Sequence, residues 1–291
     1  MADFPLPGGA EYVVAAPAPG TGVGWWAGSS HAVLDGDGTY VIAYRVRMGE
    51  QGRGLNVVAR SEDGERLTTV CTIEQERFGA QSLERPALVR TDDRRWRLYV
   101  CPAEPAPSKR WWIDVLEADG PDGLAHAEAR TAFRGDADTG VKDPLVRRTP
   151  EGRWEAWICC HPLDVPGEED RMTTAYATSD DGLSWRWHGN VLSPRAGMWD
   201  SRGARLTTVH PDGRAAYDGR ATKEENWFER IGLARLTGNR PGELEQTNDD
   251  AAFDARYLDV LPLPDGGYRI YYEARLPDES HELRTELIQP R

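Results

Sequence analysis

Cysteine is scarce in this chain: four residues among 291, too few and too irregularly placed for a disulfide framework. Cys159 and Cys160 are adjacent within an apolar, strand-like stretch, where neighbouring side chains point to opposite faces, so they read as buried thiols. Histidine is also sparse. His31, His126, His161, His188, His210 and His281 show no short spacing of the H-x-x-x-H kind, so neither a dedicated metal site nor any other cofactor is expected. There is no basic run, and the net charge of −13 sets up a field that repels phosphate backbones and anionic lipid. Nucleic acid and membrane surfaces are therefore not expected partners. Met1 to Gly22 is rich in Pro, Gly and Ala. It lacks the positive start and the apolar stretch of a signal peptide or membrane span, which reads as a cytoplasmic protein. Helix signals are few.

Hydrophobic residues make up 39% of the sequence and charged ones 29%, which is enough apolar material for a core. Short strands rich in Val, Tyr, Trp and Leu recur between turns at Asp37-Gly38, Glu151-Gly152, Asp212-Gly213 and Asp265-Gly266-Gly267. Each of these turns follows one apolar strand and precedes a second, aromatic one, and this repeat organises the chain. The units are SSHAVLDGDGTYVIAYRVR from Ser29, LERPALVRTDDRRWRLYVCP from Leu83, VKDPLVRRTPEGRWEAWICC from Val141, WDSRGARLTTVHPDGRAAYDGR from Trp199 and ARYLDVLPLPDGGYRIYYEAR from Ala255. Their starts lie about 40 to 60 residues apart, the length of a four-stranded propeller blade. The pattern predicts one all-β domain over residues 1–291, a five-bladed β-propeller of four-stranded antiparallel blades.

Thr178 to Trp185, TSDDGLSW, has the S/T-x-D-x-G-x-x-W form of an Asp-box, in which Asp and Gly close a tight turn and Trp packs between sheets, so Asp180 is expected to be structural. With this motif, the Asp143-Pro144 pair at a blade start and the repeat, the sequence resembles the five-bladed glycosidases, especially glycoside hydrolase family 43. The resemblance implies an active site of three carboxylates where the inner strands converge, because glycosidic cleavage needs a proton donor and a carboxylate on opposite faces of the bond. Carried over position by position, Asp143 matches the family's pKa-modulating aspartate. The first-blade base is missing, its place taken by Ser30 and His31. Either Glu84 or Asp200 is then the general acid, and His31 is the nearest replacement for the base.

Around these, Arg85, Arg202, Asp218, Arg220, Tyr257 and Glu273 stand near strand starts or in the dense charged cluster of the fourth unit, suited to holding a polyhydroxylated ligand. Among the tryptophans, Trp25, Trp26 and Trp199 fall at expected strand starts or loops, where an aromatic face can stack on a sugar. The expected function is a glycosidase-like hydrolase acting on a small glycoside. The alternative is a propeller that has lost its base and binds, or transforms without hydrolysis, an aromatic natural product in an apolar, tryptophan-lined funnel. The expected partner is a small-molecule or carbohydrate ligand.

Overall fold

A computed structural model describes residues 4–49, 53–108 and 110–290. The chain is all-β, with helix limited to 3₁₀ turns at Gln75–Phe78 and Pro121–Ala125. After a short strand β1 (Val13–Ala16), β2 (Trp26–Leu34), β3 (Tyr40–Met48), β4 (Arg53–Ser61) and β5 (Thr68–Ile73) form an antiparallel meander. β6 (Ser82–Leu83), β7 (Ala87–Arg90), β8 (Trp96–Val100), β9 (Pro102–Ala103), β10 (Ile113–Ala118) and β11 (Arg130–Phe133) follow; β7, β8, β10 and β11 make a four-stranded sheet and β6 pairs with β9. Two further four-stranded sheets are β12 (Thr139–Arg148), β13 (Trp154–Pro162), β14 (Thr173–Ser179), β15 (Arg186–Leu192), then β16 (Gly203–Val209), β17 (Arg214–Arg220), β18 (Arg230–Leu236), β19 (Leu244–Gln246).

The last strands, β20 (Arg256–Pro262), β21 (Tyr268–Arg275) and β22 (His281–Ile288), are antiparallel, and β1 returns to pair with β22. A single parallel bridge, Trp26 to His281, joins this group to β2 and so to the first meander. The innermost strands touch in sequence, β2 with β7, β7 with β12, β12 with β16, β16 with β20 and β20 with β2, which closes a ring.

Each sheet is buried on both faces, and this explains the long apolar runs. In β13, Trp154, Ala156, Ile158 and Cys160 pack toward the preceding sheet, whereas the interleaved Trp157 packs toward the following one. Strand alternation thus feeds two cores from one sequence. Each fully buried Leu, Ile or Val adds about 1.5–3 kcal/mol. The Thr178–Trp185 turn is closed by Asp181, not Asp180: its Oδ1 accepts from Ser179 Oγ and from the backbone N–H of Leu183 and Ser184. Trp185 packs on Phe133 as its pattern implied. The fourth unit starts later than its sequence indicated. β16 begins at Gly203, so Trp199 and Asp200 lie in the preceding turn. No helix among the described residues is long and apolar enough to cross a membrane.

Candidate active site

Three inner strands break register at matching points, between Gly28 and His31 in β2, Lys142 and Leu145 in β12, and Arg256 and Asp259 in β20. At each bulge one residue takes a left-handed conformation: Ser29 at φ 53°, Asp143 at 49° and Tyr257 at 54°. None is glycine, and such backbone costs about 1–3 kcal/mol per residue. The bulges re-aim these residues toward the middle of the ring.

Over them lies a cavity of about 580 Å³. Tyr257 contributes to its lining, with Glu84, Arg45, Lys142, Arg205, Arg220, Glu229 and Arg256 around it, and Trp26, Trp111, His161, Asp170 and Trp227 farther along the wall. Asp143 is not in the wall. It is fully buried; its Oδ1 accepts the Arg85 backbone N–H at 3.1 Å, and its Oδ2 accepts Arg205 Nη1 at 3.0 Å and the Tyr257 hydroxyl at 3.3 Å. Arg205 Nη2 reaches Asp218 Oδ2 at 2.7 Å, and the Tyr257 backbone N–H donates to both Asp218 oxygens at 3.0 and 3.2 Å. One guanidinium therefore serves two buried carboxylates, and it lies 3.9 Å from the centroid of the Tyr257 ring. Arg256 and Arg85 stand at 5.2 and 5.9 Å from that ring.

A second chain of pairs runs through Arg256, which meets Glu273 at 2.6 Å and Glu229 at 2.7 Å, while Arg220 meets Glu229 at 2.5 Å. His281 Nδ1 lies 2.6 Å from Glu273. On the other side Glu84 binds Arg45 at 3.0 Å and lies 3.8 Å from Lys142. Burial pushes the Glu84 carboxyl up, but Arg45, Lys142 and Arg47 outweigh it and hold it at about 2. Glu273 is likewise held at about 2, burial being overcome by Arg256 and His281. In Asp218 burial wins against Arg205 and raises the carboxyl to about 6. In the wall, Glu84 and Glu229, both lowered by neighbouring cations, present acceptor oxygens and the guanidinium groups beside them present donors, an arrangement that matches adjacent hydroxyls.

Of the residues expected from sequence, Glu84, Trp26, Arg220 and Tyr257 reach the cavity, and Asp143, Asp218 and Glu273 form the layer behind it. Arg85 is fully buried, its Nη2 donating to the carbonyls of Ser30 and Thr207 on different inner strands at 3.3 and 2.8 Å. Ser30 is buried outside the wall. His31 also lies outside it, its Nδ1 against the Leu88 backbone, and burial followed by Arg85 lowers its pKa to about 4, so it is neutral at physiological pH.

Asp200 is bound by Arg195 at 2.9 Å and by the Tyr217 hydroxyl at 2.7 Å, and Trp199 stacks on Tyr217, all away from the cavity; the later start of β16 accounts for both placements. Arg202 pairs with Glu168 and Asp170 rather than Asp200. Trp25 stays outside, against Gly20. Nor is the cavity an apolar funnel, since Trp26, Trp111 and Trp227 share its wall with many charged side chains. Arg47 and Arg256 lie 4.6 and 4.8 Å from the Trp26 ring centroid, and His281 stacks on that ring at 5.0 Å.

Sequence reading missed Arg45, Lys142, Arg205, Glu229 and Arg256 as site residues. The signal for Arg45 was the alternation in Tyr44-Arg45-Val46-Arg47, where charge recurs on one face of an otherwise apolar strand. Glu229 and Asp170 come from loops and carry no such signal.

No family model and no curated protein matches the chain. Solved structures do. The β-1,2-mannobiose phosphorylase from Listeria innocua, in complex with β-1,2-mannobiose, superposes with a TM-score of 0.65 at 14% identity over 98% of this chain and 93% of that one. A thermostable family-43 glycoside hydrolase gives 0.67 at 12% identity over 94% and 92%. A structure from the GH130 family of mannoside phosphorylases, which contains glycoside hydrolases that target β-1,2 mannosidic linkages in Candida mannan, gives 0.59 at 12% identity over 99% and 98%. At these identities the likeness is one of fold: the chain has the architecture of the propeller glycoside hydrolases and phosphorylases.

Proposed function

We propose that the chain is a single-domain, five-bladed β-propeller enzyme that cleaves a small glycoside by carboxylate chemistry, with Asp143 and Glu84 as its central carboxylates. The observation that carries this reading is the cavity over the ring of inner strands. Its volume, about 580 Å³, lies within the range of about 300–1,000 Å³ usual for small-molecule sites. Its guanidinium groups are paired with carboxylates, so the wall offers donors and acceptors without a large excess of either charge. That chemistry favours a hydroxylated ligand over an apolar one. Trp111, whose ring has the Lys142 Nζ over it at 4.7 Å from the centroid and His161 beside it at 5.1 Å, adds an aromatic surface to the wall for a sugar.

The family-43 and GH130 likenesses support the same reaction class by analogy of fold. Glu84, ionised and in the wall, is suited to stabilising positive charge that builds on a sugar ring in the transition state. The test is release of the aryl group from a panel of aryl glycosides across pH. The expected result is turnover on one sugar class, with Trp111→Ala raising KM about tenfold at little change in kcat. No release from any sugar at any pH contradicts the reading.

A further inference from the structure

Asp143 has the central position among the carboxylates, yet it does not touch the cavity. Its Oδ1 is taken by the Arg85 backbone, and its Oδ2 faces Arg205 and the Tyr257 hydroxyl. Arg205 stays protonated and cannot give up or take up a proton at physiological pH, so the group through which Asp143 can exchange one with the cavity is Tyr257. Tyr257 lines that cavity, and its left-handed backbone at φ 54° holds the ring beside Arg205. At the first inner strand no carboxylate is present: Ser30 is buried, and its hydroxyl has no hydrogen-bond partner.

We propose that Tyr257 is a catalytic residue that relays a proton from the attacking water to Asp143, and so supplies the base function that Ser30 cannot. This rests on the glycosidase reading above. In the step, the water oxygen bonds to the anomeric carbon, and the bond from that carbon to the glycosidic oxygen breaks. The electron pair leaves with the aglycone, which departs as a phenolate when it is aryl. The proton lost by the water passes to Tyr257 Oη as the phenolic proton passes to Asp143 Oδ2. Neither oxidant nor reductant is needed. Burial and the Asp143 charge raise the Tyr257 phenol well above its ordinary value, and Arg205 and Arg256, at 3.9 and 5.2 Å from the ring, offset only part of this, so the two protons move together and no free phenolate forms. Asp143 acts here as a positioning and proton-holding residue, because it does not line the cavity and its proton moves through Tyr257.

The experiment compares wild type, Tyr257→Phe, Asp143→Asn and the double variant on an aryl glycoside with a good leaving group, with and without azide. Azide attacks without giving up a proton, so it bypasses a missing base. The expected result is a kcat loss of about 100-fold or more for each single variant, little further loss in the double, and an unchanged KM for Tyr257→Phe. Azide should restore turnover in the variants, with glycosyl azide as product, a recovery that a purely structural role would not give. An unchanged melting temperature shows that Tyr257→Phe is folded. If Tyr257→Phe keeps its rate within about threefold while Asp143→Asn loses it, the relay is overturned and the glycosidase reading stands. If wild type releases nothing from any glycoside, the reading fails and the relay with it.

Discussion

The chain turns left-handed in two kinds of place, at its outer hairpins and at the bulges of its inner strands, and it treats them differently. The hairpins that join the first two long strands of each repeat share one hydrogen-bond pattern, in which Gly38, Arg94, Gly152, Gly213 and Gly266 sit at the same left-handed position. Glycine takes four of the five, at no steric cost. The inner bulges use Ser29, Asp143 and Tyr257 instead. A side chain at such a position is strained, and it persists where surrounding contacts over-determine it. Here those contacts are the buried ion pairs of Arg205 and Arg256. The outer turns are shaped for connection, whereas the strained bulge residues are tied into the buried hydrogen-bond and ion-pair network.

The largest effect should come from removing the charge that holds the bulges. Arg205→Ala leaves Asp143 and Asp218 buried without their shared cation, and denaturant unfolding should show a loss of about 3–5 kcal/mol. Next is the pH dependence of stability. Asp218 and Asp259 have folded-state pKa values raised by burial from 3.8 to about 6 and about 7, so the stability of their neutral forms is present below pH 3.8 and is lost as pH rises through 6 to 7. Glu84 and Glu273 act oppositely. Lowered from 4.5 to about 2, they contribute above pH 4.5 and lose that contribution as pH falls through 2. Asp259→Asn should therefore flatten the decline between pH 4 and 7 in a melting-temperature series. An unchanged slope would place the titration elsewhere.

Smaller effects separate the two kinds of left-handed residue. Ser29→Ala keeps the strain and loses the hydrogen bond to Glu273, for a cost of about 1 kcal/mol, whereas Ser29→Gly relieves the strain and should come out near neutral. The usual ranking of Ala over Gly is thereby reversed. Smallest of all, Arg94→Gly should stabilise the outer hairpin by up to about 1 kcal/mol and leave turnover unchanged.

Much of the fold was readable because its signals are local. The Asp37-Gly38, Glu151-Gly152, Asp212-Gly213 and Asp265-Gly266 turns all appear where they were expected, and the aromatic strands after them alternate between two cores. The second unit was also found, although Arg94 stands where its hairpin lacks glycine, because Trp96 and Tyr99 mark the following strand. The fourth was misplaced, since Trp199-Asp200 imitates a strand start while the backbone turns for four residues before β16. Asp143 stood out through its proline. Its partners did not, because Arg205 and Tyr257 come from other strands and meet it only when the ring closes. Ion-pair choice was similarly hidden: Glu273 pairs with Arg256 across the ladder rather than with nearby Arg275, which pairs with Asp254.

The proposed sugar site is the cavity above Tyr257, backed by the buried ion pairs of the inner bulges. A crystal structure of the Asp143→Asn variant soaked with a turned-over glycoside tests this most directly. The expected result is a sugar ring between Glu84 and Glu229, with its anomeric carbon facing the Tyr257 hydroxyl. A sugar bound instead in the groove beside Phe133 and Trp187, or an empty cavity at saturating glycoside, would contradict it.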